Sequence, residues 1–195
     1  MTELPRQVVV IALRAESAGV FEAAGVPVLY CGVGKVNAAI ELTRELSRYV
    51  RADQAMPLVM NFGSAGSRRH LTGSLVACHE FLQRDMDVGG LGFPLGVTPY
   101  DEAPPRLVFD ALFTGLPAAS CGSGDSFATA DTGMDCGVVD MEAYALAKAC
   151  WRANSAFACA KYVSDGADHT AAADWRQNVH KAAEEFLRLY QSVTQ

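Results

Sequence analysis

Glu16, Glu142 and Asp165 are the residues with which this sequence could do chemistry. Glu16 lies three residues beyond the apolar run 8–13, Glu142 sits at the head of the mostly apolar stretch 141–151, and Asp165 follows the end of the run 156–163. A carboxylate is costly to bury unless it is paired or used, and its commonest use is to move a proton. Taken singly, each acid has an ordinary explanation: a solvated helix residue, an acid favoured by a helix dipole, a turn former. Taken as a set, all at predicted strand ends, they are harder to assign to chance.

The glycine-rich segments between them match no nucleotide-binding motif. Gly32-Val33-Gly34-Lys35 lacks the third glycine of a dinucleotide fingerprint, because position 37 is Asn, and its spacing is not that of a P-loop. Gly63-Ser64-Ala65-Gly66 lacks the spacing of a nucleophile elbow and reads as a tight turn. No matching histidine constellation supports a serine hydrolase. The six cysteines contain no CxxC spacing and the histidines no HxxxH pair, so no metal site and no cofactor are expected.

Elements that could hold these groups follow from the hydrophobic pattern. The β-branched run 8–13 predicts a buried strand, 14–24 a short helix and 26–31 a second strand. Val36, Ala39, Ile40, Leu42, Leu46 and Tyr49 lay a stripe along a helix over 35–50. Strands are expected near 57–60, 73–81, 117–121 and 156–163, with a buried helix at 141–151, a loop over 89–106 and a last helix over 173–193. Alternating strands and helices predict one α/β domain, residues 1–195, with helices on both faces of the sheet. Ligands collect at the carboxyl ends of strands in such folds, where the polar clusters fall.

Composition narrows the partners. Of 195 residues, 50% are hydrophobic and 19% charged, an ordinary globular balance. The 22 acids against 16 bases leave a net charge of −6, which opposes binding to a phosphate backbone, so no nucleic-acid partner is expected. No run reaches the roughly 18 apolar residues of a membrane span, and the N-terminus lacks a signal-peptide core. The cysteines then read as reduced thiols of a cytoplasmic protein.

The order of the clusters resembles a known family. Cys31 to Ala39, Asn61-Phe62-Gly63-Ser64-Ala65-Gly66, Ser123-Gly124-Asp125-Ser126-Phe127, Val139-Asp140-Met141-Glu142-Ala143 and Val163-Ser164-Asp165 are similar to motifs of the nucleoside phosphorylase and nucleosidase superfamily. Within it the resemblance is to the bacterial 5′-methylthioadenosine/S-adenosylhomocysteine nucleosidases. It implies an α/β/α sandwich around a mixed, partly barrel-like sheet, a homodimer, and a small purine nucleoside as substrate. It also implies roles. Met141 and Glu142 would hold the ribose, Asp165 supported by Ser164 would face N7 of the purine, and Phe127 would lie against the base. Glu16 would activate water with Ser64 nearby, and Lys161 would stand where the family has an arginine.

Those residue types suit cleavage of an N-glycosidic bond, which builds positive charge on the sugar and negative charge on the leaving base. A carboxylic acid in a dry pocket can protonate N7, a second carboxylate takes the proton of water, and a third stabilises the cationic sugar. Phosphorolysis would need a cationic cradle, but the positions where phosphorylases carry arginines hold Glu16 and Asn61. Hydrolysis is therefore expected, with phosphorolysis, a catalytically degenerate nucleoside binder and a bulkier futalosine-type substrate as alternatives. The short, polar stretch 169–172 implies a weak subsite for the 5′ substituent.

Overall fold

The computed structural model describes residues 3–194. The chain runs β1 (Gln7–Ile11), α1 (Arg14–Ser17), α2 (Val20–Ala23), β2 (Val28–Tyr30), α3 (Lys35–Ala52), β3 (Leu58–Gly66) and β4 (Leu75–Gln83). A 3-10 turn (Gly89–Leu91) precedes β5 (Arg106–Val108), β6 (Ala118–Ser123), β7 (Val138–Asp140) and α4 (Ala143–Ala153). β8 (Phe157–Asp165), α5 (Ala171–Asn178) and α6 (Ala183–Thr194) complete it.

One mixed sheet runs in the order β2-β1-β3-β7-β6-β4-β5, and β8 pairs with both β3 and β4. β3, β7, β6, β4 and β8 therefore close on themselves as a barrel-like ring, and β1–β2 and β5 extend from it. β3–β8, β4–β6 and β6–β7 are parallel, while β4–β8 and β3–β7 are antiparallel.

The strand residues sort by period two. Val8 and Val10 enter one core with Leu42, Leu46 and Tyr49 of α3 and Leu146 and Cys150 of α4. Their neighbours Val9 and Ile11 enter a second core with Phe21 of α2, Phe62 and Phe186 of α6. A strand covered on both faces needs apolar residues on both, which is why β1 reads as a continuous apolar run. Helices thus cover both faces of the sheet, the expected sandwich.

Three expectations need correction. The segment 14–24 is two short helical turns, interrupted where Ala18 (φ 47°) and Gly19 (φ 75°) take left-handed conformations. The segment 173–193 is two helices, because α5 packs on β8 while α6 packs on α1 and α2 and buries Phe186 in the second core. Gly63–Gly66 is no turn but the end of the nine-residue strand β3, where the glycines serve close approach.

Candidate active site

The carboxyl ends of β1, β3, β7 and β8 open onto one cavity of about 440 Å³, a size suited to a purine nucleoside. Its wall includes Glu16, Ser64, Phe127, Met141, Glu142, Ser164 and Asp165.

Glu16 is buried on α1, and its carboxylate is fixed at both oxygens. Oε2 accepts from the Leu13 N–H at 3.0 Å, and Oε1 from the Ser64 N–H and hydroxyl, each at 2.8 Å. The Ser64 hydroxyl in turn accepts from Trp175 Nε1 at 3.0 Å. With that N–H donating to it, the hydroxyl is free to donate to Glu16, so Trp175, Ser64 and Glu16 form a directed chain. A side chain at Gly63 would stand 3.1 Å from Glu16 Oε1 and 3.3 Å from Lys161 Nζ. Glycine there lets both charged groups reach β3.

Asp165 ends β8. Oδ2 accepts from the Ser164 hydroxyl at 2.7 Å and Oδ1 from the Ala167 N–H at 3.0 Å. Burial raises its carboxyl above its ordinary value, against the pull of Ser164 and the Ala167 N–H. A Cβ at Gly66 would fall 2.6 Å from Asp165 Oδ1, so glycine is required at this position too.

Glu142 immediately precedes α4 and accepts from the Gly34 N–H at 2.8 Å. The glycine-rich turn after β2 thus binds a carboxylate from its own chain. Burial first, then the negative charge of Asp140, pushes the Glu142 carboxyl up to about 8. Asp140 itself pairs with Lys161 Nζ at 2.9 Å, and accepts from the Ser123 hydroxyl and the Ala143 N–H. Burial is the largest influence on both and opposes both charges, but Lys161 with the Ser123 and Ala143 hydrogen bonds outweighs it for Asp140, and Asp140 with the other negative groups nearby outweighs it for Lys161. The Lys161 ammonium is held well above, and the Asp140 carboxyl below, their ordinary values.

No family model matches the chain. A curated relative, the 5′-methylthioadenosine/S-adenosylhomocysteine nucleosidase of Geobacillus thermodenitrificans, is 32% identical over 96% of this chain and 86% of its own. The chain belongs to the 5′-methylthioadenosine/S-adenosylhomocysteine nucleosidase family. A mutant Helicobacter pylori nucleosidase with 5′-methylthioadenosine in its active site has the same fold, at a TM-score of 0.84 and 19% identity over 98% of this chain and 99% of that one. The futalosine hydrolase of that species also shares it, at 0.80 and 20% identity over 94% and 95%. Hydrolases named for different substrates thus share one fold, and specificity has to be argued from the cavity.

In this member of the nucleosidase family, the structure brings together seven of the eight residues singled out in the sequence. Lys161 is the exception. It does not line the cavity but is buried behind the wall, paired with Asp140. Three further wall residues escaped sequence reasoning: Asp140, Arg84 and Arg176. Asp140 lay within the motif Val139-Asp140-Met141-Glu142-Ala143 but was given no role, whereas nothing in the local pattern singled out Arg84. The wall also carries Val33, Ala172 and Trp175, so the part of it next to the stretch 169–172 is less polar than that stretch implies. The reason is that α5 begins at Ala171 and turns Trp175 onto Ser64. Among the described residues no group of three or more His, Cys, Asp or Glu could hold a metal ion.

Proposed function

We propose that this protein hydrolyses the N-glycosidic bond of an adenine nucleoside, namely 5′-methylthioadenosine, S-adenosylhomocysteine or a close relative. One observation carries the reading: Glu16, Glu142 and Asp165 converge on one nucleoside-sized cavity in three different environments. As the C1′–N9 bond breaks, its electron pair passes to the purine and Asp165 gives N7 a proton. Burial, which raises its pKa, favours the protonated form that this step needs. Glu16, held by Leu13 and Ser64, takes a proton from water as the water oxygen bonds C1′. Glu142 and Met141 hold the ribose, and Ser164 steadies Asp165. Phe127 lies at the base, while Lys161 acts from behind the wall through Asp140.

Phosphorolysis is disfavoured because the carboxylate of Glu16 occupies the Ser64 N–H and hydroxyl that a phosphate would need. The same proposal treats residues 1–195 as one working domain, supported by cores that draw on Val8 at one end and Phe186 at the other. It also includes a homodimer, supported by the exposed Val36, Ile40 and Val50 of α3. Six free cysteines, five of them buried, fit a reducing cytoplasm. No helix is long and apolar enough to cross a membrane.

Incubation with adenosine, 5′-methylthioadenosine, S-adenosylhomocysteine and inosine, with and without phosphate, tests the reading. Free adenine and the ribose are expected from the adenine nucleosides at a rate independent of phosphate, and Glu16→Gln should abolish it. Ribose 1-phosphate, or a severalfold gain with phosphate, would make the enzyme a phosphorylase. Binding without any base release would make the chain a degenerate binder.

A further inference from the structure

The described residues contain two buried cations, Lys161 and Arg84. Lys161 is neutralised by Asp140. Arg84, only 7% exposed and part of the cavity wall, has no carboxylate oxygen within 4.0 Å among the described residues. Its neighbour Asp85 is committed elsewhere, to Lys35 and to the Asp125 N–H at 2.8 Å. The Arg84 guanidinium bonds only neutral acceptors: the carbonyls of Gly124 and Ser126 through Nη2, and the Ser126 hydroxyl through Nη1 at 3.2 Å. Its buried Nε has no partner.

The fold makes room for this group. A Cβ at Gly124 would lie 2.8 Å from the guanidinium carbon of Arg84, and one at Gly122 3.5 Å from its Cβ. The glycines flanking Ser123 clear a path along β6 for the arginine. An unpaired guanidinium cannot shed its proton, so burying it is costly unless something negative meets it. The segment it grips, from Gly124 to Ser126, leads directly to Phe127 in the cavity wall, the residue that the nucleosidase reading sets against the base.

We infer that Arg84 is a catalytic residue of the base subsite, whose fixed positive charge stabilises the purine as it departs with the electron pair of the C1′–N9 bond. The inference rests on the nucleosidase reading and adds a second group to Asp165. Asp165 transfers a proton to N7, whereas Arg84 transfers nothing and lowers the energy of the anion before that proton arrives. A preorganised charge of this kind acts in the transition state and far less on the neutral nucleoside.

The test uses leaving groups of different acidity. Specificity constants are measured for adenosine and for 8-azaadenosine, whose more acidic base leaves more readily, in wild type, Arg84→Gln and Arg84→Lys. Arg84→Gln is expected to cost adenosine about tenfold to a hundredfold, with a loss for 8-azaadenosine at least fivefold smaller. Arg84→Lys should recover part of the adenosine rate. Equal losses on both substrates would overturn the inference and leave Arg84 as a clamp on its loop. Wild type alone supplies a second measurement should the variants not fold. Inhibition by free 8-azaadenine is compared with adenine across the ionisation of the 8-azaadenine ring N–H. The azapurine should gain on adenine as it becomes an anion, and no gain would overturn the inference. If wild type released no base from either nucleoside the nucleosidase reading would fall, while the inhibition experiment would still report on Arg84.

Discussion

Asp165 and Glu142 are both carboxyls with raised pKa values, yet the site asks different things of them. In the proposed mechanism Asp165 delivers a proton, so Asp165→Asn should bind an adenine nucleoside nearly as well as wild type and lose about 10² to 10⁴ of turnover. Retention of a third of the wild-type rate would remove it from the role of acid. In the proposed mechanism Glu142 instead accepts from ribose hydroxyls, and its pKa of about 8 has a consequence for stability. Below pH 4.5 folded and unfolded chains are both protonated here. Between 4.5 and about 8 the unfolded chain ionises while the folded chain keeps its proton, so stability is lost as pH rises through that window. Glu142→Gln does not titrate. Its melting temperature should therefore move above that of wild type as pH rises from 5 to 8, by at least about 3 °C at the upper end. A gap that does not change with pH would show that the Glu142 proton is not coupled to folding.

At the level of elements, β1 and α3 were legible because one kind of signal decides each: a run apolar on both faces, and a stripe at helical spacing. The ring was not, because β3–β7 and β4–β8 pair residues far apart in the chain, and no local pattern records which edges meet. Nor was the break between α1 and α2, where Ala18 takes a left-handed conformation against its own preference. The candidate acids were visible because carboxylates at strand ends are conspicuous. Arg84 was not, since its isolation from carboxylates exists only in three dimensions. The division of 173–193 into α5 and α6 matters for function, because it places Trp175 in the cavity wall. Trp175→Phe keeps an apolar ring but loses the bond to Ser64, so kcat should fall about threefold to tenfold for adenosine and 5′-methylthioadenosine alike. Trp175→Ala also removes the wall and should lower the preference for the thioether over adenosine by a further fivefold or more. An unchanged preference in Trp175→Ala would mean that the 5′ group lies elsewhere.

The whole molecule adds a constraint that no single site imposes. α3 buries Ala38, Leu42, Leu46 and Tyr49 against the sheet, yet its outer side carries Val36, Ile40 and Val50, and Ile40 is 51% exposed. A shallow groove between α3 and α4 continues this surface, floored by Ala145, Ala149 and Ala153. Large apolar residues gathered on one exposed face mark a surface that a partner covers. In the proposed homodimer that partner is a second copy, seated across α3. Val33, at the turn leading into α3, lines the cavity and is itself 42% exposed, so a subunit seated there would also narrow the mouth of the site. Ile40→Glu puts a charge in the middle of this face at a position that contributes little to either core. The variant should keep its circular dichroism spectrum and sediment as a 20.8 kDa monomer where wild type sediments at twice that mass. Its KM for 5′-methylthioadenosine should rise, because the cavity mouth near Val33 would be left open. A wild-type chain that sediments as a monomer at micromolar concentration would sink the dimer, and the exposed face of α3 would then need another occupant.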